Sequence, residues 1–404
     1  MTAAPGQSSR HPAVIPAKAG IQHQPELDPQ PSSADSLAGS YQLRPGQRHS
    51  ISGQRPVLAA GRLGTILRGM KGVEVGEALA SLFTLCAHAH VRTSRMALAA
   101  AAGREEHAAE DGGRLLLDTA RDHLRTIALD WPRLLGGPAY AAASLQWLRG
   151  CPLPLANTRA WQDASLAALS EWLEHEVLGE TCADWLVRCR EKDALAHWCS
   201  TRAERLAAAR CLSECYPLAD TLRPPARCLA VLGGGPERQQ TQLRALADAI
   251  ATDPVFVQRP TWLGECAENG PWSRLRYTAE RPPLAYSAWT RLASRWLELV
   301  EIGAFRADTP GSVPLLASGA LALEPGQALA WCELGRGLLL HRVRVDAQGA
   351  VEDYRVLAPT EWNFHPQGAL ARAVEDLPAA DTAAASLLAA AFDPCVPCSV
   401  VAAA

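Results

Sequence analysis

The chain has 404 residues, with 39 Lys and Arg against 42 Asp and Glu. That length suffices for one large domain or two to three small ones, and for a sizeable hydrophobic core. The formal net charge of -3 argues against a broad electrostatic grip on nucleic acid or on an anionic membrane. Hydrophobic residues make up 48% and charged residues 20%, which excludes a wholly disordered chain. Composition does not explain the 12 cysteines.

The N-terminal 50 residues differ from the rest of the chain. Residues 1–50 are rich in Pro, Gln and Ser and have no hydrophobic period, so we predict a disordered or spurious extension. A single domain is expected over residues 51–404. Residues 1–30 lack the apolar segment of a signal peptide, and no stretch approaches the ~18 apolar residues of a membrane span. A cytoplasmic location with mostly reduced thiols is therefore expected.

Helical periodicity dominates the first three quarters of the chain. Apolar residues at helical spacing predict helices over residues 74–101 and from about 113 to Trp131, the second ended by Pro132. Further helices are predicted over residues 164–178, 180–212, 240–251 and 284–303. The Gly-Gly-Gly-Pro at 233–236 lacks the Lys-Ser/Thr of a phosphate loop and is interpreted as a turn.

The pattern changes near residue 335, where two alternating segments surround a turn. Residues 338–345 (LLLHRVRV) and 351–357 (VEDYRVL) alternate in hydropathy, and residues 346–349 supply the turn. This pattern predicts a β-hairpin, and helices are expected to follow to about Phe392. The predicted fold class is therefore mainly α with a small antiparallel β-sheet, an α+β fold.

One cysteine motif stands out near the C-terminus. Cys395 and Cys398 form the only Cys-x-x-Cys pair, a spacing that can bind one metal ion or form a redox disulfide. Structural zinc would need a second pair, for which Cys211 and Cys215 are a weak candidate. A thioredoxin-like site would need the cysteine pair at the start of a helix. The pair lies close to the C-terminus, which does not favour a thioredoxin-like site. The single cysteines are expected to pack as small hydrophobes: Cys151, Cys182, Cys189, Cys199, Cys228, Cys266 and Cys332.

The C-terminal motif Asp-Pro-Cys-x-x-Cys resembles the last motif of nickel–iron hydrogenase large subunits. Other segments resemble motifs of that family in the same order: Asp122-His123 with Leu129-Asp130-Trp131, Glu268-Asn269-Gly270-Pro271 with Arg274, Glu333 to Gly337, and Pro359 to Asn363. The resemblance covers roughly residues 55–404. It implies a large-subunit-like fold in which two cysteine segments meet in the interior, with Cys86 standing where the family has its first pair.

The chain departs from that family at several metal positions. In the family, four thiolates hold nickel and iron, and one cysteine of each pair bridges the two metals. Here the first pair reads Cys-Ala-His-Ala from Cys86 to Ala89, so the bridging position carries no ligand. Thr93 and Val401 replace two family histidines. We expect no C-terminal extension of the kind that is removed from the family's large subunits. Nickel is therefore not expected, and His90, one turn from Cys86, is either a ligand or a packed histidine.

The positions that surround the iron ligands are retained. The resemblance places Arg336 and Thr360 where the family has donors facing cyanide, and a guanidinium and a hydroxyl suit an anionic nitrogen. From the residues alone, Arg336 is equally compatible with a surface or sheet-end arginine. This combination of retained and lost positions resembles the hydrogenase accessory proteins of the HupK/HoxV type.

That resemblance implies a non-catalytic maturation scaffold. It would hold or assemble an iron–cyanide–carbon monoxide centre, with Cys395, Cys398 and Cys86 as ligands, before transfer to the hydrogenase large subunit. The implied partners are a small maturation chaperone with its iron-donor complex, and the large subunit itself. A catalytic large subunit and a metal-free structural relative remain as alternatives, with a zinc or thiol redox module as a weaker one.

Overall fold

The computed structural model describes residue 1 and residues 37–59, 61–104, 112–136, 145–153, 165–225, 227–274, 286–306 and 314–402. This part of the chain is mostly helical, as predicted, but it contains two small sheets rather than one. None of its helices has the length and apolarity that a bilayer crossing requires. Most of the predicted 1–50 extension lies outside the described residues.

The helices largely follow the predicted segments. In chain order they are α1 (Arg62–Leu67), α2 (Val73–Leu82), α3 (Ala87–Ala101), α4 (Gly112–Arg125), α5 (Leu166–Trp172), α6 (Cys182–Cys189), α7 (Lys192–Arg202), α8 (Ala207–Ala219), α9 (Pro236–Thr252), α10 (Pro271–Arg274), α11 (Ala288–Ala304), α12 (Pro359–Asn363), α13 (Ala369–Glu375) and α14 (Thr382–Phe392). Helices α4 and α5 continue as π-helical turns. The turns after α4 extend through Pro132 to Gly136, so the prediction that Pro132 ends this helix is wrong. The single helix predicted over residues 180–212 is divided among α6, α7 and α8.

The helix predicted over residues 74–101 is broken, which corrects that prediction. Phe83 ends α2 with φ -123° and ψ 62°, and a 3₁₀ turn over Thr84–Cys86 precedes α3. Phe83 and Cys86 are both buried, so the apolar spacing continues across the break and hides it in the sequence. The break places Cys86 at the N-terminal end of α3 rather than in the middle of a helix.

The predicted hairpin is confirmed as part of a larger antiparallel sheet. The sheet has the order β3-β4-β5-β6, formed by β3 (Ser318–Ala322), β4 (Gln327–Leu334), β5 (Gly337–Val345) and β6 (Val351–Leu357). Helix α3 packs on one side of β4 and β5, and α9 contacts the same two strands. Three successive residues of β4, Ala328 to Ala330, are fully buried, as expected for a strand covered on both faces.

A second sheet lies beside the cysteine motif, and it corrects the predicted boundary at residue 50. Its order is β2-β1-β7, with β1 (Ser40–Leu43) antiparallel to β2 (Ile51–Gln54) and parallel to β7 (Cys398–Val400). Leu43 is fully buried, so the folded part begins before residue 51. Because Tyr41 is the register partner of Cys398, this sheet fixes the C-terminal motif against the N-terminal strand.

Helix α11 is the central element of the helical part. It packs against α4, α5, α6, α8, α10 and α14. Its buried face carries charged side chains, among them Arg291, Arg295 and Glu298, as well as Trp289 and Trp296. A helix buried on all sides can hold such charges only where they are paired. Arg291 pairs with Glu268 at 2.7 Å, and Arg295 and Glu298 form the ion pairs described below.

Candidate functional site

The site forms where the ends of several elements meet. Cys86 closes the 3₁₀ turn before α3, and Cys395 follows the end of α14. Thr360 stands in the first turn of α12, and Arg336 lies in the turn between β4 and β5. Arg55 follows strand β2. Segments that are distant in sequence thus contribute one cysteine, one hydroxyl or one guanidinium each.

Thr360 holds the cysteine loop in place. Its Oγ1 lies 3.1 Å from Cys395 Sγ, and the Cys395 backbone N–H donates to the same oxygen at 3.4 Å. Thr360 is only 1% exposed, whereas Cys395 is half-buried. Thr360 therefore contacts Cys395 directly, whereas its role as a donor to cyanide stays a prediction.

Cys86 shares the environment of Cys395. Burial, and after it negative charge on Cys395, raise the pKa of Cys86 to about 12, although Arg55 and Arg336 act in the opposite direction. The two thiols and the two guanidiniums are therefore close enough to act on one another. At neutral pH the buried Cys86 is a neutral thiol.

Arg55 is a buried cation that no sequence motif marks. Its side chain is 3% exposed, and its guanidinium carbon lies 5.4 Å from the centre of the Phe83 ring. Its Nη1 is 3.6 Å from Glu361 Oε1, too long for a hydrogen bond, and Nε and Nη1 have no hydrogen-bond acceptor among the described residues. Burial opposes the charge, but Cys395 and Glu361 raise the pKa of Arg55.

Glu361 is the carboxyl group nearest to this cation. Tyr41 donates a hydrogen bond to Glu361 Oε2 at 2.9 Å across the space between β1 and α12. Burial raises the pKa of Glu361 to about 7, although Arg55 and Tyr41 act in the opposite direction. The site therefore holds a carboxyl group that changes its charge near neutral pH, one residue after Thr360.

Arg336 is buried, so the surface interpretation of this residue is wrong. It is 4% exposed, and its Nε forms an ion pair with Asp393 Oδ2 at 2.9 Å. Burial opposes the charge, but Asp393 and then Asp122, Cys395 and Cys86 raise the pKa of Arg336. Asp393 ends α14 with φ 44°, a left-handed conformation that costs energy in a residue other than glycine and turns the chain toward Cys395.

A buried ionic network extends from Asp393 to Glu298. Arg295 pairs with Asp393 and lies 3.1 Å from His123 Nδ1, and His123 Nε2 lies 2.6 Å from Glu298 Oε2. Arg274 donates to both oxygens of Glu298 at 2.8 Å. His123 is therefore a hydrogen-bonded core residue.

The remaining predicted positions have different surroundings. Cys398 lies in β7, where burial raises the pKa of its thiol to about 12. The ring of His90 stacks on Phe83 at 4.0 Å, and its Nδ1 lies 3.0 Å from His341 Nε2. Of the two interpretations of His90, the structure thus supports the packed and hydrogen-bonded one. Ala89 is fully buried and contributes no ligand atom.

The structure brings Cys86 and Cys395 to one pair of guanidiniums, with Cys398 three residues further along. Within the described ranges, no three His, Cys, Asp or Glu side chains are grouped closely enough to hold a metal ion. No disulfide joins any of the twelve cysteines, all of which lie in the described part. The three-thiolate ligand set of Cys86, Cys395 and Cys398 therefore stays a prediction.

Comparison with solved structures shows the fold. A chain of the reduced, active nickel–iron–selenium hydrogenase of Desulfomicrobium baculatum superimposes with a TM-score of 0.51 at 14% identity, covering 85% of this chain and 93% of that one. A variant of the corresponding enzyme of Desulfovibrio vulgaris Hildenborough gives a TM-score of 0.52 at 14% identity, covering 85% and 92%. Both matches agree with the large-subunit-like fold expected from the motifs.

Comparison with known sequences shows the family. No protein-family model matches the chain. It is 38% identical over 389 residues to the hydrogenase expression/formation protein HoxV of Cupriavidus necator, covering 91% of this chain and 96% of that protein. The hydrogenase expression/formation protein HupK of Rhizobium leguminosarum bv. viciae is 29% identical, with 78% and 83% covered. The chain therefore belongs to the HoxV/HupK family of hydrogenase expression/formation proteins.

Proposed function

We propose that this chain acts in hydrogenase maturation by holding an iron centre that carries cyanide and carbon monoxide, and by passing it to the hydrogenase large subunit. The observation that carries the proposal is the grouping of Cys395 and Cys86 with Thr360, Arg55 and Arg336. The iron centre is cargo, bound and then released. A small maturation chaperone with its iron-donor complex would deliver it.

The donors present suit such a cargo. Thiolates are soft ligands that bind iron, and Cys395, Cys398 and Cys86 would supply them. Cyanide bound to iron keeps a basic nitrogen, which accepts hydrogen bonds from guanidinium and hydroxyl groups. Arg336 and Thr360 supply one donor of each kind, buried to 4% and 1% exposure, where such bonds are stronger than in water.

The weak acidity of the buried thiols favours transient binding of the iron centre. Burial raises the pKa of both Cys86 and Cys398 to about 12, so a bound metal must displace protons that the empty site retains at neutral pH. This competition with protons weakens metal binding at neutral pH. An acceptor with four thiolates would then remove the iron from a site that offers three at most.

The missing fourth thiolate supports a non-catalytic role. Ala89 is fully buried at the position where the hydrogenase motif has a bridging cysteine, and Thr93 donates its hydroxyl to the Ala89 carbonyl at 2.7 Å. One of the two thiolates that would bridge nickel and iron is therefore missing. We expect iron without nickel, and no hydrogen turnover.

Infrared spectroscopy tests the proposal. The full chain is purified without oxygen from cells that express the hydrogenase maturation proteins, and iron is measured alongside the spectrum. We expect bands of iron-bound cyanide and carbon monoxide in the wild type. A Cys395→Ala, Cys398→Ala double variant should lose these bands and at least about tenfold of the bound iron, because two of its thiolate ligands are gone.

A matched control is the double variant Cys151→Ala, Cys228→Ala, which removes two half-buried thiols outside the site. It should keep the bands. A wild-type protein without such bands, or bands unchanged in the Cys395 and Cys398 variant, would contradict the proposal. Nickel at about one per chain, together with hydrogen uptake, would instead support the catalytic alternative.

A further inference from the structure

A second concave region lies beside the three-stranded sheet. It is a recess of about 900 Å³, and its lining includes Arg48, His49, Arg259, His365, Arg372 and Glu375. Three arginines and one glutamate thus line the recess, although the whole chain carries a net charge of -3. The positive charge of the recess is therefore local.

The three arginines have no ion-pair partner among the residues that the structure describes. Arg48, Arg259 and Arg372 form no ion pair and no side-chain hydrogen bond with another residue of the described ranges. Like charges repel when they are brought together on a concave surface, where solvent screens them less than on a convex one. An anion bound between them would relieve this repulsion.

The floor of the recess is neutral and fixed. His365 is 4% exposed, and its Nδ1 accepts a hydrogen bond from the Gln367 backbone N–H at 3.1 Å and lies 3.1 Å from Cys266 Sγ. An imidazole nitrogen that accepts a hydrogen bond carries no proton, and burial and then Arg259 lower the pKa of His365. Cys266 is thus a hydrogen-bonded thiol rather than only a packed one, and the positive charge comes from the arginines.

We propose that this recess binds a carboxylate-rich segment of a partner protein. Guanidinium groups bind carboxylates with two parallel hydrogen bonds, and three of them suit several acidic side chains better than one small ion. A volume of about 900 Å³ accommodates several side chains. Nucleic acid and anionic membranes need a broad basic surface, which the net charge of -3 does not favour.

The position of the recess places such a partner next to the cysteine site. Thr360, which contacts Cys395, and His365, at the floor of the recess, belong to one short segment that begins with α12. Arg48 lies in the loop between β1 and β2, and β1 pairs with the strand of Cys398. The inference goes beyond the proposed function, because binding of an acidic segment does not require that the chain hold iron.

Fluorescence anisotropy with a labelled hexaglutamate peptide and the full chain tests the inference. The wild type should bind the peptide at low ionic strength, and binding should weaken as salt is added. The triple variant Arg48→Glu, Arg259→Glu, Arg372→Glu should bind at least about tenfold more weakly, because attraction is replaced by repulsion at three positions. Circular dichroism establishes that the variant is folded. A triple Arg-to-Lys variant should bind with an affinity between those of the wild type and the Glu variant, because it keeps the positive charge but loses the paired hydrogen bonds of the guanidiniums.

The matched control is Arg62→Glu, Arg205→Glu, Arg244→Glu, which changes the net charge equally at exposed arginines outside the recess lining. It should lose no more than about threefold in affinity, since distant charges are screened. Equal losses in both triple variants would overturn the inference. So would recess-dependent binding of inorganic phosphate, of a short DNA duplex or of phosphatidylserine vesicles that exceeds binding of the peptide.

Discussion

Two buried Arg–Glu pairs in this molecule have the same composition and opposite properties. In the first, Arg274 Nε and Nη2 donate to the two oxygens of Glu298 at 2.8 Å, and His123 reaches the same carboxylate at 2.6 Å. In the second, Arg55 Nη1 and Glu361 Oε1 are 3.6 Å apart. All four charged side chains are at least nine-tenths buried.

The acidity of the two carboxyl groups shows the difference. Burial favours the neutral form of both, but Arg274 and His123 outweigh it and lower the pKa of Glu298 to about 2. Arg55 and Tyr41 do not outweigh it, and the pKa of Glu361 is raised to about 7. The first pair therefore completes a structural network, whereas the second leaves guanidinium donors available beside Cys395. Burial and residue type alone do not distinguish a structural ion pair from a binding group.

Removing the acid of the tight pair should have the largest effect. Glu298→Ala leaves Arg274 and Arg295 buried with too little negative charge, and loss of one partner from a buried pair costs about 3–5 kcal/mol. We expect a decrease of that size in the free energy of unfolding at pH 7, measured by chemical denaturation with circular dichroism. Glu361→Gln is the comparison variant. It should lower the free energy of unfolding by less than about 1 kcal/mol at pH 6, because the glutamine resembles the protonated form of Glu361. Equal losses in the two variants would remove the distinction between the pairs.

The two carboxyl groups should also give opposite pH dependences. Glu361 has a folded-state pKa of about 7 against an ordinary value of 4.5, so its contribution to stability is present below pH 4.5 and is lost as the pH rises to 7. This difference between the folded-state and ordinary pKa values of Glu361 corresponds to about 3 kcal/mol in the free energy of unfolding. Glu298, with a pKa of about 2, contributes above pH 4.5 and loses its contribution as the pH falls toward 2.

Unfolding free energies at pH 5 and pH 8 measure this difference. The wild type should lose stability relative to Glu361→Gln between the two values, because only the wild type must bury a charged carboxylate at pH 8. Glu298→Gln should show no such change relative to the wild type, since Glu298 is ionised at both values. A wild type and a Glu361→Gln variant with parallel pH profiles would mean that Glu361 titrates normally.

Much of the fold follows from sequence periodicity, and the exceptions have physical causes. The hairpin of β5 and β6 and the helices α4, α9 and α11 were predicted because long segments keep one period. Strand β4 was missed because both of its faces are covered, which removes the alternation. Strands β1 and β7 have four and three residues, too few to show any period.

The site was predictable only where a motif marks it. Cys395, Thr360 and Arg336 stand in recognisable motifs, and the structure brings Thr360 and Arg336 to Cys395 or its neighbour Asp393. Arg55 stands in no motif, and its role depends on Glu361, which in turn is bonded to Tyr41 320 residues away. No local pattern records such contacts, because they arise only when distant segments fold together.

The smallest expected effect concerns the hydroxyl that contacts Cys395. Thr360→Val removes the group 3.1 Å from Cys395 Sγ and leaves the Cys395 N–H without its acceptor, at a cost of about 1 kcal/mol. If the hydroxyl serves the bound cargo, the cyanide bands of the loaded protein should shift in Thr360→Val and keep the wild-type position in Thr360→Ser. Thr221→Val, which removes an exposed hydroxyl elsewhere, should change neither bands nor stability. Equal band positions in all three variants would make Thr360 a structural residue, like those of the Glu298 network, and would leave the arginines as the only donors to cyanide.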